Sequence, residues 1–144
     1  MPLLTDRDQA AVRKEFEKLA GPVKLVVFSQ ELSPAADLCR QNEELMRDVA
    51  ALAPDAVSVE VLNLAIDRER AEGYGVDRVP AVVVEGARDY GLRFLGIPSG
   101  YEFSNLIDAM IVASSGQPGL SAETQTALAG LTGDVDIKVF STPT

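Results

Sequence analysis

The stretch YGVDRVPAVVV, residues 74–84, decides the fold. Its pattern predicts the end of a helix, a short polar link, a Val–Pro step and then a buried strand. X–Pro bonds adopt the cis form at modest cost, so a proline that opens a central strand indicates a defined turn. A cis bond between Val79 and Pro80 would turn the backbone of Val79 outward, where its N–H and C=O could pair with an extended peptide.

The composition limits the partners that the chain can have. Its 144 residues are 47% apolar, which predicts one domain with its own core. Thirteen basic and 22 acidic residues give a net charge of −9. This charge disfavours nucleic acid and anionic membranes, because both require a basic face. With no long apolar run and no signal-peptide layout, we expect a cytoplasmic protein.

The absence of histidine and the single cysteine limit the chemistry. Ser–His and Cys–His nucleophiles and histidine metal sites are excluded, and we expect neither a metal nor a cofactor. Cys39 alone cannot form an intramolecular disulfide or a cysteine-rich zinc site. We expect it to be a packed small residue on a helix. The alternatives are a regulatory, oxidisable thiol and a monothiol enzyme that uses Cys39.

Hydrophobic periodicity predicts the element order α-β-α-β-α-β-β-α. Thr5 and Asp8 form a capping box for the first helix, which Gly21-Pro22 ends, and Ser33-Pro34 opens the second helix. Strand–helix–strand units are expected to be parallel, and a tight turn at residues 86–89 makes the last pair antiparallel. The result is an α/β fold, with a four-stranded mixed sheet flanked by helices. The predicted strands cover residues 23–28, 57–61, 81–84 and 90–95.

The segment LAGPVKLVVFS at residues 19–29 reappears as LTGDVDIKVFS at residues 131–141, 112 positions later. Two similar strands could coincide by chance, but a helix precedes each copy, the second one capped by Ser121, which favours duplication. We therefore predict a domain over residues 1–114, a linker over 115–119, and a helix and strand of an incomplete second unit over 120–144. An unpaired strand at residues 135–140 would also favour a homodimer.

The segment RFLGIPSGYEF at residues 93–103 resembles the R-[YF]-x-G-x-P-x-G-x-E-F pattern of tandem thioredoxin/glutaredoxin-fold proteins. These include the protein disulfide oxidoreductases and the N-terminal domain of the alkyl hydroperoxide reductase flavoprotein subunit. Residues 74–84 are similar to the cis-proline segment of thioredoxins and glutaredoxins. Residues 139–144 look like the strand and turn that lead into a second-unit C-x-x-C. The resemblance implies a thioredoxin/glutaredoxin-like fold over essentially the whole chain.

The chain departs from that family where the first C-x-x-C belongs. The motif falls on Ser33, Pro34, Ala35 and Ala36, so both thiol positions lack sulfur. Redox cysteines sit at helix N-termini because the helix dipole favours the thiolate. A serine hydroxyl there stays protonated and forms no labile S–S bond. We expect Ser33 to cap the helix and the site to be redox-inactive.

The resemblance therefore implies two functions. In the first, the 144 residues are not catalytic and act as a scaffold or partner-binding unit, with Val79 and Pro80 as a peptide-binding turn. Its partner would be a second thioredoxin-like unit or a redox partner protein. In the alternative, the chain is part of a protein disulfide oxidoreductase or a peroxide-reductase electron carrier whose C-x-x-C follows Thr144.

Overall fold

A computed structural model describes residues 3–142 of the chain. The four strands are β1 (Val23–Ser29), β2 (Val57–Asn63), β3 (Ala81–Glu85) and β4 (Asp89–Leu95). The helices are α1 (Asp6–Phe16), α2 (Ala36–Ala50), α3 (Arg68–Tyr74), α4 (Phe103–Ser115), which follows a 3₁₀ turn at Gly100–Glu102, and α5 (Ala122–Ala129).

The four strands form one mixed sheet in the order β2-β1-β3-β4. Strand β1 is parallel to β2 and antiparallel to β3, and β3 is antiparallel to β4. In the register, Ala81 lies opposite Phe28 on one side and Leu95 on the other. The prediction of an α/β fold with a four-stranded mixed sheet flanked by helices is confirmed.

The direction of β3 differs from the prediction that each strand–helix–strand unit is parallel. Helix α3 has 7 residues and spans only about 10 Å at a rise of about 1.5 Å per residue. The 7 residues of β2 extend over about 23 Å at about 3.3 Å each. Because α3 is too short to carry the chain back along β2, β3 starts at the end of the sheet where β2 stops.

Strand β1 is buried because helices cover both faces of the sheet. On one face, Leu25 and Val27 contact the core formed with α1, α2 and α4. On the other face, Val26 and Phe28 pack against α3. The larger of the two clusters includes the buried helix residues Val12, Phe16, Leu45, Met46, Val49, Leu106, Ile107, Met110 and Ala113.

Helix α1 has the predicted start but an earlier end. The Thr5 hydroxyl accepts a hydrogen bond from the Asp8 N–H at 3.2 Å, and the reciprocal bond completes the capping box. The helix ends at Phe16, one turn before Gly21-Pro22. The chain then turns onto the end of α4, where the Ala20 N–H donates to the Ser114 hydroxyl at 3.1 Å. This contact replaces the extra helical turn.

The C-terminal part of the chain has the predicted helix but not the predicted strand. Ser121 caps α5 as expected, by accepting a hydrogen bond from the Thr124 N–H. Residues 135–140 form no strand and join no sheet within the described part of the chain, and Phe140 is 91% exposed. A strand requires a neighbour for its backbone groups, and none of the described strands is paired with this segment. Residues 139–144 are predicted to lead into a second C-x-x-C motif, and the last two of them, 143–144, lie outside the described residues.

Gly86 allows the turn between β3 and β4 to touch helix α4. A Cβ at this position would lie 1.7 Å from the backbone carbonyl oxygen of Ala113. We predict that Gly86→Ala lowers the free energy of unfolding by about 2–3 kcal/mol, because rigid backbone must move to relieve the overlap.

Gly73→Ala is the matched control, measured by the same chemical denaturation. A Cβ at Gly73 would meet no atom within 4 Å. Alanine is favoured over glycine inside a helix, so this variant should be more stable by about 0.5–1 kcal/mol. Equal stability of the Gly86→Ala and wild-type chains would show that the turn does not press on α4.

Candidate functional site

Three connections meet at one end of the sheet, which we call the site end. They are the β1–α2 loop at residues 30–35, the turn before β3 at residues 79–80, and residues 96–100 after β4. They share this end because Phe28, Ala81 and Leu95 lie side by side in the register. Residues 33–36, which we call the vestigial motif, and the proline turn at residues 79–80 are therefore at the same end of the sheet.

The vestigial motif forms a hydrogen-bonded turn before α2. The Ser33 hydroxyl donates to the Gln30 carbonyl at 3.1 Å and accepts from the Ala35 N–H at 3.2 Å. The Ala36 N–H donates to the Ser33 carbonyl at 3.1 Å. Helix α2 begins at Ala36, and its N-cap residue, Ala35, makes no side-chain cap. The prediction that Ser33 caps this helix, with Pro34 as its first residue, is wrong because the hydroxyl bonds within the preceding loop.

The proline turn has a cis peptide bond between Val79 and Pro80. Pro80 is buried, and its carbonyl accepts a hydrogen bond from the Gly96 N–H at 2.8 Å. Val79 is half-buried, and its backbone N–H and C=O have no hydrogen-bond partner within residues 3–142. The backbone of Val79 is thus available at the site end.

Cys39, the single cysteine of the chain, is buried. Cys39 is one turn into α2 and only 1% exposed. Asn42, on the same face of α2, is fully buried, and neither its amide nitrogen nor its amide oxygen has a hydrogen-bond partner among the described residues. Sequence reasoning missed Asn42, because an asparagine in a helix gives no sign of the face on which it lies.

Exposed apolar side chains surround the site end. Leu32 in the β1–α2 loop is 98% exposed, Ile66 after β2 is 82% exposed, and Tyr101 in the 3₁₀ turn is 80% exposed. Leu95 at the end of β4 is also exposed. Clusters of exposed apolar residues often mark surfaces that bind other proteins. No periodicity singles these loop residues out in the sequence.

Charged side chains hold α3 beside the proline turn. Arg70 donates to Glu60 at 2.6 Å, and this bond, together with one from Lys24, lowers the pKa of Glu60 to about 2. Arg93 donates to the Tyr74 carbonyl at 3.0 Å. Arg93, the first residue of the 93–103 segment, therefore fixes the end of the helix that precedes Val79.

Tyr74 is part of the same structural cluster. Its ring centroid lies 5.9 Å from the guanidinium carbon of Arg70 and 5.5 Å from that of Arg93. Burial raises the pKa of Tyr74, whereas the hydrogen bond from Arg93 lowers the pKa of Asp89. Each of these groups keeps its ordinary charge at neutral pH, and their role is to position α3.

Two further findings concern the described residues alone. No group of three or more acidic or cysteine side chains within residues 3–142 is placed to hold a metal ion. None of the helices there is long and apolar enough to cross a membrane.

Curated proteins with similar sequences identify the family. The chain is 32% identical over 85 residues to a probable thioredoxin of Methanothermobacter marburgensis, covering 59% of this chain and 92% of the relative. It is also 32% identical over 77 residues to a thioredoxin of Methanocaldococcus jannaschii, covering 54% and 82%. The chain belongs to the thioredoxin family. No family model matches it.

Solved structures share the fold of this thioredoxin-family chain. The alkylhydroperoxide reductase protein AhpF of Enterococcus faecalis matches 90% of the chain with a TM-score of 0.79 and 23% identity. A protein disulfide oxidoreductase of Aeropyrum pernix matches 90% with a TM-score of 0.75 and 24% identity. The chain spans 61% and 56% of the lengths of these two proteins. They confirm the thioredoxin-like fold and the predicted resemblance.

The burial of Cys39 predicts slow modification. In the native protein, alkylation of Cys39 at neutral pH should be at least about 100-fold slower than in denaturant, because the thiol reacts only after local opening. Leu32→Cys in a Cys39→Ser background is the control, since position 32 is exposed. Its thiol should react rapidly in the native fold. Native labelling of Cys39 at the rate of this control would favour a monothiol enzyme.

Proposed function

We propose that this thioredoxin-family chain is a redox-inactive unit that binds or packs against protein partners, while thiol–disulfide chemistry is carried elsewhere. One observation supports it above the others. Ser33 and Ala36 occupy the ends of the motif where redox members of the resembled family have cysteines, and the remaining thiol, Cys39, is buried.

The loss of activity follows from the chemistry of the residues present. Thiol–disulfide exchange requires a thiolate that attacks a disulfide and a second thiol that resolves the mixed disulfide. The Ser33 hydroxyl is engaged in two loop hydrogen bonds. The chain has no histidine to activate a hydroxyl. Neither half of the exchange reaction is therefore available at the surface.

The site end supports a role in peptide binding. An extended peptide would pair its backbone with the N–H and C=O of Val79, in the manner of strand addition. Leu32, Ile66 and Tyr101 would contact its apolar side chains, since all three are exposed at this end of the sheet. The proposal needs no sulfur, because backbone pairing and apolar contact supply the binding.

The C-terminal segment supports a second thioredoxin-like unit as partner. Residues 131–141 repeat the sequence around β1, and their apolar side chains are exposed. The structural neighbours are longer than this chain. We propose that residues 1–114 form the first unit, 115–119 a linker, and 120–144 the start of a second unit.

The repeat also favours the alternative function, a disulfide oxidoreductase or peroxide-reductase electron carrier in the whole protein. The counterparts of Ser33 and Ala36 would lie 112 residues later, beyond Thr144. The reading frame of the parent gene distinguishes the two proposals. Cysteines at both positions would support the oxidoreductase, whereas a stop codon would leave the scaffold function.

Insulin reduction by dithiothreitol tests the inactivity of the 144-residue chain. The wild-type chain and Cys39→Ser should both leave the rate at that of dithiothreitol alone, because no reactive dithiol is present. A thioredoxin with two active cysteines serves as the positive control. Acceleration by the wild-type chain that disappears in Cys39→Ser would refute the proposal and assign activity to that thiol.

A further inference from the structure

Two adjoining cavities form one open groove beside α1. The first, of about 440 Å³, lies between the start of α1, α2 and the connection that follows β4. The second, of about 340 Å³, lies between α1 and α4. Asp8, Gly100 and Phe103 line both cavities, so the two are continuous. We call the combined space the α1 groove.

The floor of the α1 groove is apolar. Val12 of α1 and Ile107 of α4 line it and belong to the main core. The small side chain of Ala11 on the α1 wall allows another helix to approach closely. An apolar strip between two helices is the kind of surface that an amphipathic helix covers. The other apolar lining residues are Leu3, Leu4, Leu45, Ile97 and Phe103.

All charged side chains that line the α1 groove are acidic. Asp8 and Glu15 lie on the α1 wall, and Asp108 lies on the α4 wall. Asp8 and Glu15 are seven residues apart and share one flank of α1. The basic residues Arg7 and Lys14 are on the other flank and line neither cavity. Carboxylates therefore border the apolar strip on both sides.

These carboxylates are available to a basic partner. Asp108 is exposed and makes no ion pair or side-chain hydrogen bond within residues 3–142. Glu15 pairs with Lys18, but that pair is exposed and contributes little stability, so another cation can replace Lys18 at little cost. Thr5 uses only the Oδ2 atom of Asp8, which leaves Oδ1 to accept a further hydrogen bond.

We propose that the α1 groove is a docking surface for a basic amphipathic helix of a partner protein. Apolar side chains on one face of that helix cover the apolar strip. Its Lys or Arg side chains pair with Asp8 and Glu15 on one wall and with Asp108 on the other. Helix α1 has 11 residues and extends over about 16 Å, so the groove accommodates about three turns of the partner.

Charge argues against the other candidates for this groove. A second copy of the chain carries the same net charge of −9 and would be repelled. Residues 116–142 of this chain are also acidic, with Glu123, Asp134 and Asp136 against the single basic residue Lys138. An uncharged apolar molecule would fill the strip but leave the carboxylates on both walls without a partner. A basic helix satisfies the strip and the carboxylates together.

A synthetic peptide tests the docking directly. The probe has about 14 residues, with Leu at positions i, i+3, i+4 and i+7, Lys on the flanks and one Trp. The chain contains no tryptophan, so the fluorescence of the peptide reports binding alone. We expect a dissociation constant below about 100 μM at low salt. Binding should be at least about 10-fold weaker at about 0.5 M salt, because the ion pairs are screened.

Charge reversal locates the docking surface. Asp108→Lys and Glu15→Lys should each weaken binding about 3–10-fold, because a lysine of the probe then faces a like charge. Asp55→Lys is the matched control, since it changes the net charge equally at an exposed position outside the groove lining. Leu32→Ser is the second control and removes an exposed apolar side chain of the site end. Both controls should bind within about 2-fold of the wild type.

Each outcome decides the proposal, with circular dichroism confirming that every variant is folded. Weaker binding by Asp108→Lys and Glu15→Lys, with both controls unchanged, would establish the α1 groove as the docking surface. Equal weakening by Asp55→Lys would overturn it, because binding would then follow net charge alone. Loss only in Leu32→Ser would also overturn it and would place the peptide at the site end. This last result separates the inference from the proposed function.

Two further probes test the chemistry of the partner. In one, Glu replaces every Lys, and in the other, Leu occupies every second position. Both should bind at least about 10-fold more weakly than the first probe, because one lacks the charge and the other the helical apolar face. Equal binding of either would contradict a basic amphipathic helix, as would no binding of the first probe at about 1 mM.

Discussion

Strand β1 is hydrogen-bonded on both edges, to β2 and β3, and helices cover both of its faces. Its side chains from Leu25 to Phe28 are completely buried. Burial of such side chains stabilises a fold by about 1.5–3 kcal/mol each. The neighbouring strands β2 and β3 are both positioned by their pairing with β1. The register with β1 sets the start of β3, and the end of β1 sets the loop that contains Ser33.

The fold and the redox chemistry depend on different residues. Apolar residues of β1, β3 and the packed helices hold the sheet together. Of the two positions without thiols, Ser33 lies in the turn before α2 and Ala36 is the first residue of α2, and both are half-buried. Substitution at these two positions leaves the buried apolar side chains of the core unchanged. A thioredoxin-family chain can therefore keep its sheet and its proline turn without a dithiol.

Local sequence patterns predicted most helices and strands. They did not predict the direction of β3 or the hydrogen bonds of Ser33, which depend on contacts in the folded chain. The β-branched residues of β1 and the Thr5–Asp8 capping box are local signals, and both formed as predicted. The direction of β3 depends on the length of α3 relative to β2, which periodicity does not compare. Ser33 is of a residue type that often caps helices, but its hydroxyl instead donates to the Gln30 carbonyl and accepts from the Ala35 N–H.

The segment at residues 135–140 is the clearest case in which a local sequence pattern did not predict the structure. Its sequence repeats that of β1, yet it forms no strand in the described structure, because no neighbour pairs with its backbone. Strand formation depends on the partner as much as on the residues of the strand. Family resemblance assigned the site residues from a spacing and not from contacts, and that assignment stays a prediction. It could not reveal the burial of Asn42 or the exposure of Leu32.

The central claim is that the site keeps its geometry and lacks only its two sulfurs. The Ala36 N–H to Ser33 carbonyl bond closes a turn, and the Cα atoms at the ends of such a turn lie within about 7 Å. Disulfides require a separation of about 4.4–6.8 Å. Installing Ser33→Cys and Ala36→Cys in a Cys39→Ser background, and measuring disulfide formation together with insulin reduction, tests the claim directly. The account predicts an intramolecular disulfide and a gain of reductase activity, whereas two thiols that never pair would contradict it.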